Sequence, residues 1–124
     1  MYRLMLVDDE ENILRALRRT LMVNDGSAYQ FNVEIFSSPK AALHRADEIK
    51  FDLVLSDYRM PEMDGVQFLR QFRDKQPDAA RLVLSGYADL EGIIGAINEA
   101  QIFRFIPKPW HDEDLRVTLT QALE

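Results

Sequence analysis

The stretch LVLSDYRMP, residues 53–61, decides the fold of this chain. Residues 53–55 are uninterrupted apolar residues, which is typical of a parallel strand buried on both faces. Asp57 follows this run and precedes a turn that ends at Pro61. A carboxylate at this position lies at the carboxyl end of a central strand, where open parallel sheets bind their ligands. An Asp after a strand is also an ordinary turn or capping residue, so Asp57 alone leaves both interpretations open.

On both sides of this strand, apolar runs alternate with segments of helical period. The predicted strands are Tyr2–Val7, Phe31–Phe36, Leu53–Leu55, Leu82–Leu84 and Phe103–Ile106. The predicted helices begin at Glu11, at Pro39 after a Ser38 cap, at the Asp64-Gly65 cap, at Asp89 and at Asp112, and Asn24–Ser27 breaks the first of them. This alternation predicts one α/β domain over residues 1–124, with five βα units and a mostly parallel sheet. The second strand alternates with polar residues and is expected nearer the sheet edge.

The composition excludes several classes of protein. Without cysteine, the 124 residues form no disulfide, no thiolate nucleophile and no cysteine-ligated metal site. A formal net charge of −6 disfavours DNA binding by counterion release. No apolar run approaches the roughly 20 residues that span a bilayer. We therefore expect a cytoplasmic domain that contacts neither nucleic acid nor membrane directly.

Polar residues also follow the other predicted strands. Asp8 and Asp9 come after the first strand, Ser85 after the fourth and Lys108 after the fifth. Because the carboxyl ends of parallel strands meet at one edge of the sheet, these residues should converge on Asp57. Three carboxylates in one place repel each other unless a cation lies between them. Oxygen ligands without His or Cys suit Mg²⁺ or Mn²⁺.

These residues together predict a phosphoryl-acceptor site. Asp57 is the expected nucleophile, and Asp9, Asp57 and the backbone carbonyl of Arg59 are the expected direct metal ligands, with Asp8 binding directly or through water. Lys108 and Ser85 would bind phosphoryl oxygens, because phosphoryl transfer needs positioned charge more than further chemistry. Two alternatives stay open at this point: the acidic pair caps the first helix, and Lys108 is merely solvated, although Pro107 and Pro109 on either side of it argue for a fixed backbone.

Four motifs make a resemblance specific. They are LVDDE at 6–10, DYRMPEMDG at 57–65, LSGY at 84–87 and FIPKPW at 105–110. Over essentially all 124 residues the chain resembles the receiver domain of bacterial two-component response regulators. The resemblance implies a flavodoxin-like sheet of order 2-1-3-4-5. It also implies phosphorylation of Asp57 by a sensor histidine kinase or a phosphotransfer protein, a cis Lys108-Pro109 bond, and a phosphoacceptor with self-catalysed phosphorylation and dephosphorylation in place of an ordinary enzyme.

The resemblance further implies a switch, in which Ser85 moves toward the phosphoryl group and Phe105 rotates inward. An output domain, a downstream protein or a second copy in a homodimer would read this change on the face made by the fourth helix, the fifth strand and the fifth helix. Phe105 is equally compatible with a plain core role. Arg59 and Tyr87 are bulky residues near the presumed water path, and we hypothesise that they set the lifetime of the phosphoryl group.

Two other functions compete with this one. A magnesium-dependent phosphohydrolase also uses an Asp nucleophile after a strand, but such enzymes typically carry a second Asp two residues later, where this chain has Arg59. An interaction module that has lost phosphorylation would keep the fold, but its acidic pair, acceptor or Lys should be missing. All of these residues are present in this chain.

Overall fold

The computed structural model describes residues 1–22 and 30–124, and only the backbone at positions 87, 95, 96 and 99. Strands and helices alternate through these residues. They are β1 (Tyr2–Val7), α1 (Glu11–Leu21), β2 (Phe31–Phe36), α2 (Pro39–Ala46), β3 (Leu53–Asp57), α3 (Gly65–Lys75), β4 (Ala80–Ser85), α4 (Leu90–Ala100), β5 (Arg104–Pro107) and α5 (Asp112–Leu123). A short 3₁₀ turn, Tyr87–Asp89, precedes α4. The predicted break at Asn24–Ser27 lies outside the described residues.

The five strands form one parallel sheet of order β2-β1-β3-β4-β5. This confirms the α/β, flavodoxin-like order that the resemblance implied. All five residues of β3 are buried, and β3 is the central strand, as its uninterrupted apolar character predicted. β2 lies at an edge, in agreement with its polar alternation. No helix in the described residues is long and apolar enough to cross a bilayer.

Helices cover both faces of the sheet, so each strand contributes to two hydrophobic clusters. Alternate side chains of a strand point to opposite faces, and in β1 Met5 and Val7 face one cluster while Leu4 and Leu6 face the other. The first cluster contains residues of α2, α3 and α4, and the second contains residues of α1 and α5. This arrangement explains why the inner strands are apolar at nearly every position.

Local capping chemistry sets the start of two helices as predicted. The Ser38 side chain accepts a hydrogen bond from the Ala41 N–H, and Pro39 is the first helical residue of α2. At α3, Asp64 and Gln67 form a reciprocal capping box. Both helices therefore begin where their first backbone N–H groups find side-chain acceptors.

The structure corrects three predicted boundaries. β4 extends from Ala80 to Ser85, and β3 runs on to Asp57, so both strands are longer than their purely apolar segments. β5 begins at Arg104 because that residue pairs with Leu82, whereas Phe103 is 45% exposed and precedes the ladder. These strands include polar residues because ladder hydrogen bonding is a backbone property and does not require apolar side chains.

Candidate functional site

The carboxyl edge of the sheet brings the predicted residues together. Asp57 ends β3, Ser85 ends β4, and Asp8 and Lys108 follow β1 and β5 directly. Carboxylate oxygens of Asp8, Asp9 and Asp57 all lie within 4.8 Å of one another. Three acidic side chains from two strands therefore form one cluster, and their oxygens are the ligand type that Mg²⁺ or Mn²⁺ prefers.

Lys108 is engaged with this cluster. Its Nζ lies 2.7 Å from Asp57 Oδ1 and 3.4 Å from Asp8 Oδ2, and the side chain is only 24% exposed. The backbone holds this geometry, since Lys108 N–H donates to the Ser85 carbonyl at 2.9 Å. The Lys108-Pro109 peptide is cis, as predicted. The alternative of a merely solvated lysine is therefore wrong.

Burial and the charge of a neighbouring carboxylate both raise the pKa values of Asp8 and Asp57. Burial raises the pKa of Asp8 to about 6; the Glu10 N–H and Lys108 oppose this rise, and the charge of Asp57 adds to it. Burial likewise raises the pKa of Asp57 against the hydrogen bond from Lys108. Burial alone would lower the pKa of Lys108, but the two carboxylates outweigh it and raise that pKa. One ammonium does not fully compensate three acidic groups, so the site favours a further cation.

The acidic pair does not cap α1. The residue at the N-cap position is Glu10, and its side chain makes no capping hydrogen bond. Asp8 Oδ1 instead accepts the Glu10 N–H at 2.9 Å, which orients the carboxylate into the site. Asp9 is exposed and, together with Arg59 and Asp64, lines an open cavity of about 560 Å³ next to the loop that follows Asp57. The capping alternative for these two residues is therefore wrong.

The loop after Asp57 is fixed at both ends by backbone contacts. Tyr58 N–H donates to the Leu84 carbonyl at 3.0 Å, and Gly65 N–H donates to the Tyr58 carbonyl at 2.7 Å. Gly65 packs so closely that a Cβ there would overlap the carbonyl oxygen of Asp57. Gly92 of α4 faces the hydroxyl of Tyr58, where a Cβ would lie 2.7 Å from Oη. Close packing is thus one reason for a glycine inside α4.

Ser85 and Arg59 share a partner that the sequence did not single out as a site residue. Ser85 Oγ donates to Asp89 Oδ2 at 2.7 Å, and Arg59 Nε donates to Asp89 Oδ1 at 2.6 Å. The Asp89 side chain is 8% exposed, and the guanidinium of Arg59 lowers its pKa. Sequence reasoning placed Asp89 only at a helix start. Its spacing of four residues from Ser85 was the available signal.

Phe105 and Tyr87 are two further residues for which the sequence predicted a role. Phe105 in β5 is half-buried and packs against the cluster that contains α2, α3 and α4, which fits a core role as well as a switch. The Tyr87 side chain lies outside what the structure describes. Its assigned role in phosphoryl lifetime stays a prediction.

The raised pKa of Asp8 predicts a pH dependence of stability when metal is removed by a chelator. Between the ordinary value of 3.8 and about 6, the folded chain keeps a proton that the unfolded chain has lost. The free energy of unfolding contributed by this group therefore falls as pH rises through that window. Asp8→Asn, whose amide oxygen still accepts the Glu10 N–H, should be more stable than the parent at pH 7 by at most about 3 kcal/mol.

Urea unfolding of both proteins at pH 4 to 7 measures this difference. The gain in Asp8→Asn should shrink to a small remainder near pH 4, where Asp8 is protonated in the folded chain and already partly protonated in the unfolded chain. Asp78→Asn, at an exposed position beyond the opposite end of the sheet, is the matched control and should show no such pH dependence. A constant difference between Asp8→Asn and its parent across the whole range would contradict the prediction.

Comparison with known proteins agrees with this site. The family model described as the response regulator receiver domain matches residues 4–120. The hydrogenase transcriptional regulatory protein HoxA of Cupriavidus necator is 40% identical over 120 residues, which are 97% of this chain and 24% of that protein. The chain spans about a quarter of the length of this relative and of two other curated relatives that it matches.

Solved structures give the same result. The signal receiver domain of an HD domain-containing protein from Pseudomonas fluorescens Pf-5 superposes with a TM-score of 0.87 at 34% identity, covering 98% of this chain and 86% of that one. A CheY-like response regulator receiver domain protein from Methanospirillum hungatei superposes with a TM-score of 0.85 at 28% identity, covering 99% and 94%. Family model, relatives and fold agree with the acidic cluster beside β3, and the chain belongs to the response regulator receiver domain family of two-component systems.

Proposed function

We propose that Asp57 accepts a phosphoryl group from a phosphohistidine of a sensor histidine kinase or a phosphotransfer protein, in a reaction that depends on Mg²⁺ or Mn²⁺. The observation that carries this proposal is the Asp57 carboxylate itself, which lies 2.7 Å from Lys108 and within 4.8 Å of the other two carboxylates. A nucleophile between a metal-ligating cluster and a fixed ammonium is sufficient equipment for phosphoryl transfer.

Each residue has a defined task in this reaction. A carboxylate oxygen of Asp57 attacks phosphorus, the phosphorus–nitrogen bond of the donor breaks, and an acyl phosphate forms while the imidazole leaves. Asp8, Asp9, Asp57 and the Arg59 carbonyl would hold the divalent ion, which neutralises charge on the transferring oxygens. Lys108 shifts from the free carboxylate to a phosphoryl oxygen, and Ser85 donates to another. Hydrolysis of the acyl phosphate later restores Asp57.

Family membership supports the partners that we propose. The charged acceptor changes the equilibrium between two conformations of the domain, and Ser85 and Phe105 are the proposed moving side chains. The face formed by α4, β5 and α5 would transmit the change to an output domain, a downstream protein or a second copy of the chain.

The cytoplasm is the compartment that we propose. Arg59, beside the open cavity, and Tyr87 are the proposed determinants of phosphoryl lifetime.

The proposal is tested on the wild-type chain with acetyl phosphate as a small donor. With Mg²⁺ present, intact mass should show one added phosphoryl group, and peptide mass analysis should locate it at Asp57. With a chelator in place of Mg²⁺ the adduct should be absent, because uncompensated carboxylates repel the incoming phosphate. A chain that gains no phosphoryl group under either condition would instead be the alternative, an interaction module that works without phosphorylation.

A further inference from the structure

The hydroxyl of Ser85 already donates a hydrogen bond to another side chain. It carries a single proton, and the acceptor at 2.7 Å is the Asp89 carboxylate, whereas the next acceptor, the Gly86 carbonyl, is 3.2 Å away. Hydrogen bonds to an ionised carboxylate are stronger than bonds to a neutral carbonyl. Ser85 is 1% exposed, so water does not compete freely for this proton. In this conformation the hydroxyl donates away from any group on Asp57.

Asp89 is itself held from the other side. Arg59, two residues after the acceptor, donates to the same carboxylate through Nε at 2.6 Å, and its Nη2 lies 2.5 Å from Oδ1. Asp89 stands at the N-cap position of α4, yet its side chain makes no capping hydrogen bond. The usual role of an Asp at this position is to accept a backbone N–H of the first helical turn. Its carboxylate is therefore committed to Ser85 and Arg59.

We propose that Asp89 is a positioning residue that stabilises the unphosphorylated conformation by holding both Ser85 and Arg59 away from the acceptor. The inference rests on the proposed function, since it needs a phosphoryl group on Asp57 as the competing acceptor. A phosphoryl group offers Ser85 and Arg59 new anionic oxygens, and the hydroxyl cannot donate to both acceptors. The contacts of Asp89 thus stabilise the unphosphorylated conformation, and the free energy of the new contacts to the phosphoryl group must exceed the free energy of the contacts that are lost.

The contacts of Asp89 also couple Asp57 to the face formed by α4, β5 and α5. Asp89 ends the 3₁₀ turn and directly precedes Leu90, the first residue of α4. When Ser85 and Arg59 leave the carboxylate, the N-terminus of α4 loses two side-chain attachments, one to β4 and one to the acceptor loop. The position of α4 then depends on the phosphorylation state through contacts that exist in only one of the two states, as an allosteric element requires.

The affinity of wild type and variants for beryllofluoride with Mg²⁺, a non-covalent phosphoryl mimic, tests this by titration calorimetry. Removing a contact made only in the unbound state raises the apparent affinity, and we expect Asp89→Ala to lower Kd about five- to tenfold. Glu91→Ala is the matched control, because it removes an exposed carboxylate from the first turn of α4 and changes the net charge equally. Its Kd should stay within about twofold of wild type, since exposed charges are screened.

A second readout separates positioning from general packing. Amide chemical shifts of unliganded Asp89→Ala around Ser85 and α4 should move along the line from free to beryllofluoride-bound wild type. In a Ser85→Ala background the gain from Asp89→Ala should shrink, because the two residues act through one hydrogen bond. Asp89→Asn keeps the side-chain size, loses the charge, and should show a smaller gain than Asp89→Ala.

Each possible failure has a distinct meaning. If Asp89→Ala binds the mimic no more tightly than Glu91→Ala, or more weakly than wild type, the role of Asp89 is overturned while the acceptor function stands. If Asp89→Asn does not fold, the role is overturned as well, because a residue that only selects between two folded states is not required for folding. If wild type neither binds the mimic nor gains a phosphoryl group, the proposed function itself fails.

Discussion

Asp57→Asn should gain no phosphoryl group under conditions in which the wild-type chain is modified to a measurable extent. The amide has the shape of the carboxylate but is a far weaker nucleophile, and it gives no stable acyl phosphate. We expect Asp8 and Asp9 not to replace it, because both are proposed ligands of the divalent ion and Lys108 lies closer to residue 57 than to Asp8. The expected effect is complete loss of the adduct in intact mass after incubation with acetyl phosphate and Mg²⁺.

The fold should survive this change. Asn occupies the same volume, and removing one of three mutually repelling carboxylates relieves part of the electrostatic cost in the cluster. Far-UV circular dichroism should therefore match that of wild type. Asp78→Asn, near the opposite end of the sheet, is the matched control and should be phosphorylated normally. An adduct of wild-type yield on Asp57→Asn would show that the acceptor is another residue.

Gly65→Ala should be the most damaging single-methyl change near the site. The added Cβ would overlap the Asp57 carbonyl oxygen and lie 3.0 Å from both the Asp57 carbonyl carbon and Tyr58 Cα. These are backbone atoms of β3 and the acceptor loop, so no side chain can rotate away to make room. We expect a loss of about 3 kcal/mol in the free energy of unfolding, at the upper end of the range for overpacking. Any folded fraction should phosphorylate slowly, because the clash displaces the acceptor itself.

Gly86→Ala provides the matched control for stability. Gly86 follows Ser85 at the same edge of the sheet, but a Cβ there meets no atom within 4 Å. Its substitution should change the free energy of unfolding by less than about 1 kcal/mol. Urea unfolding of the two variants and of wild type measures the free energy of unfolding in each case. The comparison shows the effect of one added methyl group against packed backbone at Gly65 and in open space at Gly86. Equal midpoints for Gly65→Ala and wild type would mean that the backbone contact is not rigid.

The fold was largely predictable from the order of local patterns. The uninterrupted apolar residues of β3 predicted a central strand, and the polar alternation of β2 predicted an edge strand; the sheet confirms both. Ser38 and Asp64 located two helix starts because capping depends on side chains within three residues of the cap. The strand ends at Asp57 and Ser85 were less predictable, because backbone pairing continues through polar residues.

The convergence of Asp8, Asp57, Ser85 and Lys108 was also predictable, because the carboxyl ends of parallel strands must share one edge of the sheet. What the sequence left open was which of the converging side chains contact each other. Lys108 lies closer to Asp57 than to Asp8, the acidic pair turns into the site and does not cap α1, and Ser85 donates to Asp89.

The placement of Asp8, Asp57, Ser85 and Lys108 at one edge of the sheet thus follows from hydrophobic periodicity and from where the strands end, and both are local properties of the sequence. The pairing of Arg59 with Asp89 and the closeness of Gly65 to Asp57 belong to contacts across loops. Such contacts depend on rotamers and on backbone positions that many residues set together, to within a few tenths of an ångström. Local patterns place residues at an edge of the sheet, but packing between chain-distant segments chooses their partners.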